Sequence, residues 1–137
     1  HCQLRFVAGT DVAAIRPALE RHLAMAGFDL VEVADPPGSN DGGFGATRTE
    51  PDNPWAQWAL KSVQRSSNAK PALIPQMGGS ICNDIFTDLL GMPTIWVPHS
   101  YASCSQHAPD EHILMSLSQS AAELMAGLYW DLGEKAA

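Results

Sequence analysis

Apolar residues recur along this chain with two periods, and those periods predict its elements. Residues 2–7 alternate, with Cys2, Leu4 and Phe6 on one side and Gln3, Arg5 and Val7 on the other. That is the pattern of a short strand with one covered face. Val12, Ile15, Leu19, Leu23 and Ala26 follow at helical spacing, after Thr10 or Asp11 as a capping residue and before Gly27 as a stop. Pro17 lies inside that helix beyond its first turn and blurs where it begins. Residues 28–33 read as a second strand.

Turn formers dominate residues 35–43, an exposed loop by composition, and residues 44–47 read as a short extended piece. Asn53-Pro54 opens a helix, with a capping residue and then Pro at the first helical position. Trp55, Trp58, Ala59 and Val63 form its apolar face. Residues 71–74 are a brief apolar strand. Gly78-Gly79-Ser80 turns into a helix carrying Ile85, Phe86, Leu89 and Leu90, which Gly91 ends. Residues 93–98 are mostly apolar, as a strand covered on both faces would be. A polar loop over 101–109 then leads to a long helix from Asp110 to about Leu132. Its stripe is Leu114, Leu117, Ala121, Leu124, Met125 and Leu128, and Gly133 stops it. No internal repeat interrupts this order, and the alternation of strands and helices predicts an α/β layered fold.

Composition narrows what such a fold can do. With 137 residues, 45% of them hydrophobic, the chain can bury roughly two-thirds of its unfolded surface and is not expected to be disordered. Fifteen acidic against eight scattered basic residues, a net charge of -7, argue against a nucleic-acid partner. No apolar run approaches the ~18–20 residues that span a bilayer, so no membrane partner is expected. The start, His1-Cys2-Gln3, lacks the basic and apolar regions of a signal peptide. It also lacks an initiator Met, so the chain is expected to begin inside a longer protein. Three cysteines, Cys2, Cys82 and Cys104, with no C-x-x-C make neither a disulfide framework nor a structural zinc site. Reduced thiols in a cytoplasmic protein are the expectation.

Chemistry-bearing residues are densest from Cys104 to His112, in a loop after an apolar strand, where α/β folds place their sites. His107 can be a metal ligand, but one imidazole is not a site. His112 follows five residues later, not the four that sets two ligands on one helical face. Cys104 with His107 can form a thiol–imidazole pair, or Cys104 can be an idle packed thiol. Ser80 lacks the G-x-S-x-G frame of a nucleophile elbow. The Gly78-Gly79-Ser80 turn can instead cradle a carboxylate or phosphate at a helix N-terminus, or simply open that helix. Arg5 can grip a substrate carboxylate in bidentate fashion or be a solvated strand residue. Asp110 and Glu111 point apart on a helix and read better as its cap and first-turn charge than as paired acids. His99 and Arg48 can line a pocket or lie on the surface. The four tryptophans, Trp55, Trp58, Trp96 and Trp130, read most simply as core residues.

Several short motifs come in a telling order: Leu4-Arg5-Phe6-Val7, Ala46-Thr47-Arg48-Thr49, Asn53-Pro54-Trp55, Gly78-Gly79-Ser80, Pro93-Thr94-Ile95-Trp96-Val97-Pro98 and His107-Ala108-Pro109-Asp110-Glu111. Over nearly its whole length the chain resembles the C-terminal part of the zinc-dependent metallopeptidases and amidohydrolases. That family includes aminoacylase, carnosine dipeptidase, acetylornithine deacetylase and succinyl-diaminopimelate desuccinylase. The resemblance implies a catalytic domain holding two zinc ions, interrupted by a ferredoxin-like lid that commonly forms a homodimer. It also implies hydrolysis of a dipeptide or N-acyl amino-acid amide bond by metal-activated water. By the same resemblance, residues 1–48 correspond to the second half of the lid and 49–137 to the end of the catalytic domain. His107 matches the family's last zinc ligand. Gly79 and Ser80 match the turn that meets the substrate carboxylate, Arg5 falls near a lid arginine that also binds it, and Arg48 lies near a lid-boundary substrate position.

The departures weigh as much. The family's remaining zinc ligands lie on a His-x-Asp motif and a Glu-Glu pair whose first Glu is the general base, and this sequence has neither. One ligand cannot hold two zinc ions. The expectation is a segment of a longer zinc-dependent hydrolase, inactive by itself. The competing readings are a non-catalytic dimerisation or interaction module and a cysteine hydrolase using Cys104.

Overall fold

Four elements follow one another in the computed structural model, which describes residues 2–35, 45–67, 69–79 and 81–136. They are helix α1 (Val12–Met25), helix α2 (Pro54–Ser67), a single wide turn with π-type bonding (Ile85–Leu89) and helix α3 (Met115–Ala136). The chain separates into two units. His1–Arg48 and Gln76–Thr94 make the first, and Thr49–Pro75 and Ile95–Ala137 the second.

In the first unit, α1 forms where the helical spacing puts it, with Pro17 tolerated inside it. Asp11 stands at its N-cap without a side-chain capping bond. The C-terminal end is closed more firmly. Gly27 takes a left-handed φ of 78°, its N–H donates to the Ala24 carbonyl at 3.1 Å, and the Phe28 N–H donates to the Leu23 carbonyl at 2.9 Å. This paired closure satisfies carbonyls that a helix end otherwise leaves open. Arg16 ties the following segment back to the helix. It reaches Glu20 at 3.0 Å, Asp35 at 2.6 Å and the Val33 carbonyl at 2.6 Å.

The same closure corrects the expected strand over residues 28–33. Phe28 is spent on the helix cap, and the Val31 N–H donates to the Phe28 carbonyl at 3.0 Å, so the chain turns instead of extending. Leu30 is fully exposed. Residues 2–7, 71–74 and 93–98 likewise pair with no neighbouring strand, and the described residues contain no strand at all. The expected α/β fold, with a half ferredoxin-like lid and an α/β catalytic part, is therefore overturned: the described residues are helical, without a sheet. The alternation of side chains signals a face to be covered, whereas a strand needs a hydrogen-bonded partner. Pro71, Pro75, Pro93 and Pro98 bracket two of these runs and remove backbone donors at their ends.

The helix expected after the Gly78-Gly79-Ser80 turn contracts to the one wide turn at Ile85–Leu89, in which the Leu90 N–H reaches the Ile85 carbonyl at 3.2 Å. Gly91, at φ 64°, ends it. Its apolar residues Ile85, Phe86, Leu89 and Leu90 stay exposed, and no described residue of the first unit is buried.

In the second unit, α2 starts as its sequence predicts. The Asn53 carboxamide oxygen accepts the Trp55 N–H at 2.9 Å, with Pro54 between them at the first helical position. The buried face differs from the expected one. Ala56, Ala59 and Ser62 are covered, while Trp55 is exposed and stacks edge-on against Trp58 with ring centroids 5.7 Å apart. None of the four tryptophans is buried, which corrects their reading as core. Small residues win because α2 lies close against α3 through Ala56, Ala59, Ser62 and Ser66, opposite Ala121 and Gly127. At the far end, Arg65 meets Asp131 at 2.5 Å. The neighbouring Ser62 hydroxyl completes no hydrogen bond of full geometry, yet it lies near enough to Asp131 to act on it. Ser62 first, and Arg65 second, hold the Asp131 carboxyl below its ordinary value.

Helix α3 begins at Met115, not at Asp110. Backbone geometry before it explains the delay. Ser105, His107 and Asp110 take left-handed φ values of 57°, 62° and 64°, which no right-handed helix accommodates. No helix of the described residues is long and apolar enough to cross a membrane.

Candidate functional site

Residues 99–114 of the second unit form the loop on which the sequence concentrates its chemistry. Three non-glycine residues with positive φ within six positions are unusual, since the left-handed region costs an ordinary L-residue about 1 kcal/mol or more. His and Asp tolerate it better than most, and two of the three are His107 and Asp110. Such outliers persist where surrounding bonds over-determine the backbone, and they cluster at functional sites. The bonds are present here. The Cys104 N–H donates to the Tyr101 carbonyl at 3.1 Å, the Ala108 N–H to the Ser105 carbonyl at 2.9 Å, and the His112 N–H to the Cys104 carbonyl at 3.1 Å. The His107 N–H donates to the Glu111 carboxylate at 3.3 Å. Glu111 therefore holds the backbone under His107; it is not a first-turn helix charge.

Two of the loop's three histidines, His107 and His112, differ in what their rings meet. His112 is committed at both nitrogens, Nδ1 to the Asp110 carbonyl at 2.7 Å and Nε2 to the Tyr101 hydroxyl at 2.5 Å. The exposed His107 imidazole has no hydrogen-bond partner among the described residues. Its lone pair is open to an incoming ion. Among the described residues, no three His, Cys, Asp or Glu side chains converge on a metal position. The donor set thus fits one ligand of a zinc centre and no more, since four-coordinate zinc needs further donors.

Cys104 is buried and makes no hydrogen bond to an imidazole among the described residues. A reactive thiol needs exposure and a thiolate-stabilising neighbour, so the thiol–imidazole pairing of Cys104 with His107 does not form. Tyr101, Cys104, Glu111, His112, Ile113 and Leu117 wall a cavity of about 180 Å³.

In the first unit Arg5 meets the glycine turn at Gly78, next to the sequence-derived position Gly79. The Arg5 guanidinium donates to the Gly78 carbonyl at 2.9 Å and to the Gln3 carboxamide oxygen at 3.4 Å. This sets Arg5 against the glycine turn, where the Gly79 N–H closes onto the Met77 carbonyl at 2.9 Å. Arg48 is exposed in the same unit. Ser80 lies outside the described residues, as do residues 36–44 of the expected loop and extended piece. Sequence reasoning singled out His107 but missed the Tyr101–His112 pair. No linear spacing announces it, because the contact depends on the left-handed turn at Asp110.

Against known proteins, no family model matches the chain, and neither a curated protein nor a solved structure does.

Proposed function

We propose that this chain is a segment of a zinc-dependent hydrolase acting on a dipeptide or N-acyl amino-acid amide bond, to which it contributes one metal ligand, His107. The carrying observation is the contrast within one loop: His107 is exposed with an uncommitted ring on a backbone held by Glu111, while His112 is fully engaged. A ligating imidazole must be neutral and available, and His107 is available, with its backbone, though not its ring, held by Glu111. Zinc would supply a Lewis acid and an activated water. The chain's own part is to present His107 and, in its first unit, to offer Arg5 and the Gly78-Gly79 turn to a carboxylate. The free thiols of Cys2, Cys82 and Cys104 suit a reducing compartment such as the cytoplasm.

Metal titration tests the reading. The 137-residue chain alone is expected to hold no zinc at micromolar concentration, because it offers one ligand. Two tightly held zinc ions would overturn the proposal. In the longer polypeptide, His107→Ala is expected to lower zinc affinity and hydrolysis by more than the roughly 10–100-fold typical of outer-shell partners. Unchanged zinc content and rate would remove His107 from the centre.

A further inference from the structure

We propose that the cavity walled by Tyr101, Glu111 and His112 is a binding site for a small primary ammonium carrying an apolar body. The site uses no metal and stands independently of the zinc reading.

Its polarity follows from one hydrogen bond. The Asp110 carbonyl oxygen can only accept, so the His112 Nδ1 lying 2.7 Å away must carry a proton. In the neutral ring Nε2 then bears the lone pair, and the Tyr101 hydroxyl donates to it across 2.5 Å. Tyr101 has spent its only proton, and its oxygen faces a ligand with lone pairs alone. Glu111 also lines the cavity, and an ionised carboxylate only accepts. It gives one bond to the His107 N–H and keeps further lone pairs. His99 in its neutral form, Ser100 and Gln106, which complete the polar lining, can each turn an acceptor toward the ligand. A ligand that satisfies Tyr101 and Glu111 must therefore donate hydrogen bonds, and the carboxylate makes a cation the better donor. The net charge of -7 favours the same sign at longer range.

Size and walls set the rest of the molecule. Cys104, Ile113 and Leu117 supply apolar surface. About 180 Å³ exceeds the roughly 150 Å³ of an apolar cavity that accepts benzene. The fitting ligand is an ammonium on a body of that scale, the size of an aromatic or branched aliphatic amine.

Benzylamine, benzyl alcohol and benzoate share one body and differ in the group that matters. In metal-free buffer, titration of the full chain followed by NMR is expected to show saturable benzylamine binding that shifts the Tyr101 and His112 ring signals. Benzyl alcohol should bind about tenfold more weakly, and benzoate should not saturate. Tyr101→Phe and Glu111→Gln should each weaken benzylamine by roughly tenfold or more, the loss of a hydrogen bond to a charged group. Benzoate binding as tightly as benzylamine, no saturable binding of the amine, or unchanged affinity in both variants would overturn the proposal. Should the variants fail to fold, the nitrogen-15 pattern of His112 in the unaltered chain decides: Nδ1–H is expected, and an Nε2–H tautomer refutes the site.

Discussion

Gly127→Ala puts the helix pair of the second unit to its sharpest test. A methyl group added at Gly127 of α3 would lie 1.9 Å from the Ser66 hydroxyl oxygen and 3.0 Å from the Ser66 Cβ on α2. Rotating Ser66 can clear the oxygen. The Cβ contact stays, because it is fixed by the two backbones, and ordinary carbon separation is about 3.5–4.0 Å. The helices must move apart by a good fraction of an ångström, at the expense of packing around Ala56, Ala59 and Ala121. Overpacking of this kind costs about 1–3 kcal/mol. Opposing it, Gly→Ala in a helix interior gains roughly 1 kcal/mol. The net expectation is a loss of up to about 2 kcal/mol, the clash outweighing the propensity. Urea unfolding followed by far-UV dichroism reads it directly. Ser66→Gly removes both clashing atoms, so on that background Gly127→Ala should become stabilising by about 1 kcal/mol. The sign reversal corresponds to a coupling of about 1–3 kcal/mol, within the range for residues in contact. If Gly127→Ala stabilises the unaltered chain, α2 and α3 do not approach here and the packing argument fails.

Two further outcomes follow from the same unit. Asn53→Ala removes the acceptor of the Trp55 N–H and is expected to cost about 1 kcal/mol in thermal or urea unfolding, whereas Asn53→Asp should be close to neutral. Asp131 is held below its ordinary carboxyl value, so its contribution is fully present above the unfolded value of about 3.9 and disappears as pH falls through the lower folded value. Acid unfolding should therefore be less steep in Asp131→Asn than in the unaltered chain, and identical profiles would contradict the Ser62–Arg65–Asp131 arrangement.

Helices α1 and α2 were legible in this sequence because their signals are local. The spacing of Val12, Ile15, Leu19 and Leu23, the stop at Gly27 and the Asn53-Pro54 start all reappear as geometry. Strands were not legible in the same sense. Residues 28–33 carry strand-like composition, but the closure of α1 takes the Phe28 N–H first, through a bond five residues long that needs no distant partner. Local closure is available to the chain immediately, while a ladder requires a second strand to arrive and pay its loop entropy. Apolarity also misled at α2, where the tryptophans drew attention and the covered face belongs to Ala56, Ala59 and Ser62. Close helix packing selects small side chains, and a hydrophobicity pattern gives them little weight.

Residue type located the loop of the candidate site, yet type alone could not separate His107 from His112. Read as the start of a helix, the segment would place Asp110 as a cap and its carboxylate at the N-terminal N–H groups. In the structure Asp110 is left-handed, and the working group is its backbone carbonyl, which fixes the tautomer of His112. Beside that turn, α3 waits until Met115, both nitrogens of His112 are engaged, and the ring of His107 has no hydrogen-bond partner among the described residues. Asp suits the position because it is among the few residues that enter the left-handed region readily. The division of labour between the two histidines thus rests on a backbone conformation that no side-chain pattern encodes, and Asp110 matters to it through its φ angle more than through its charge.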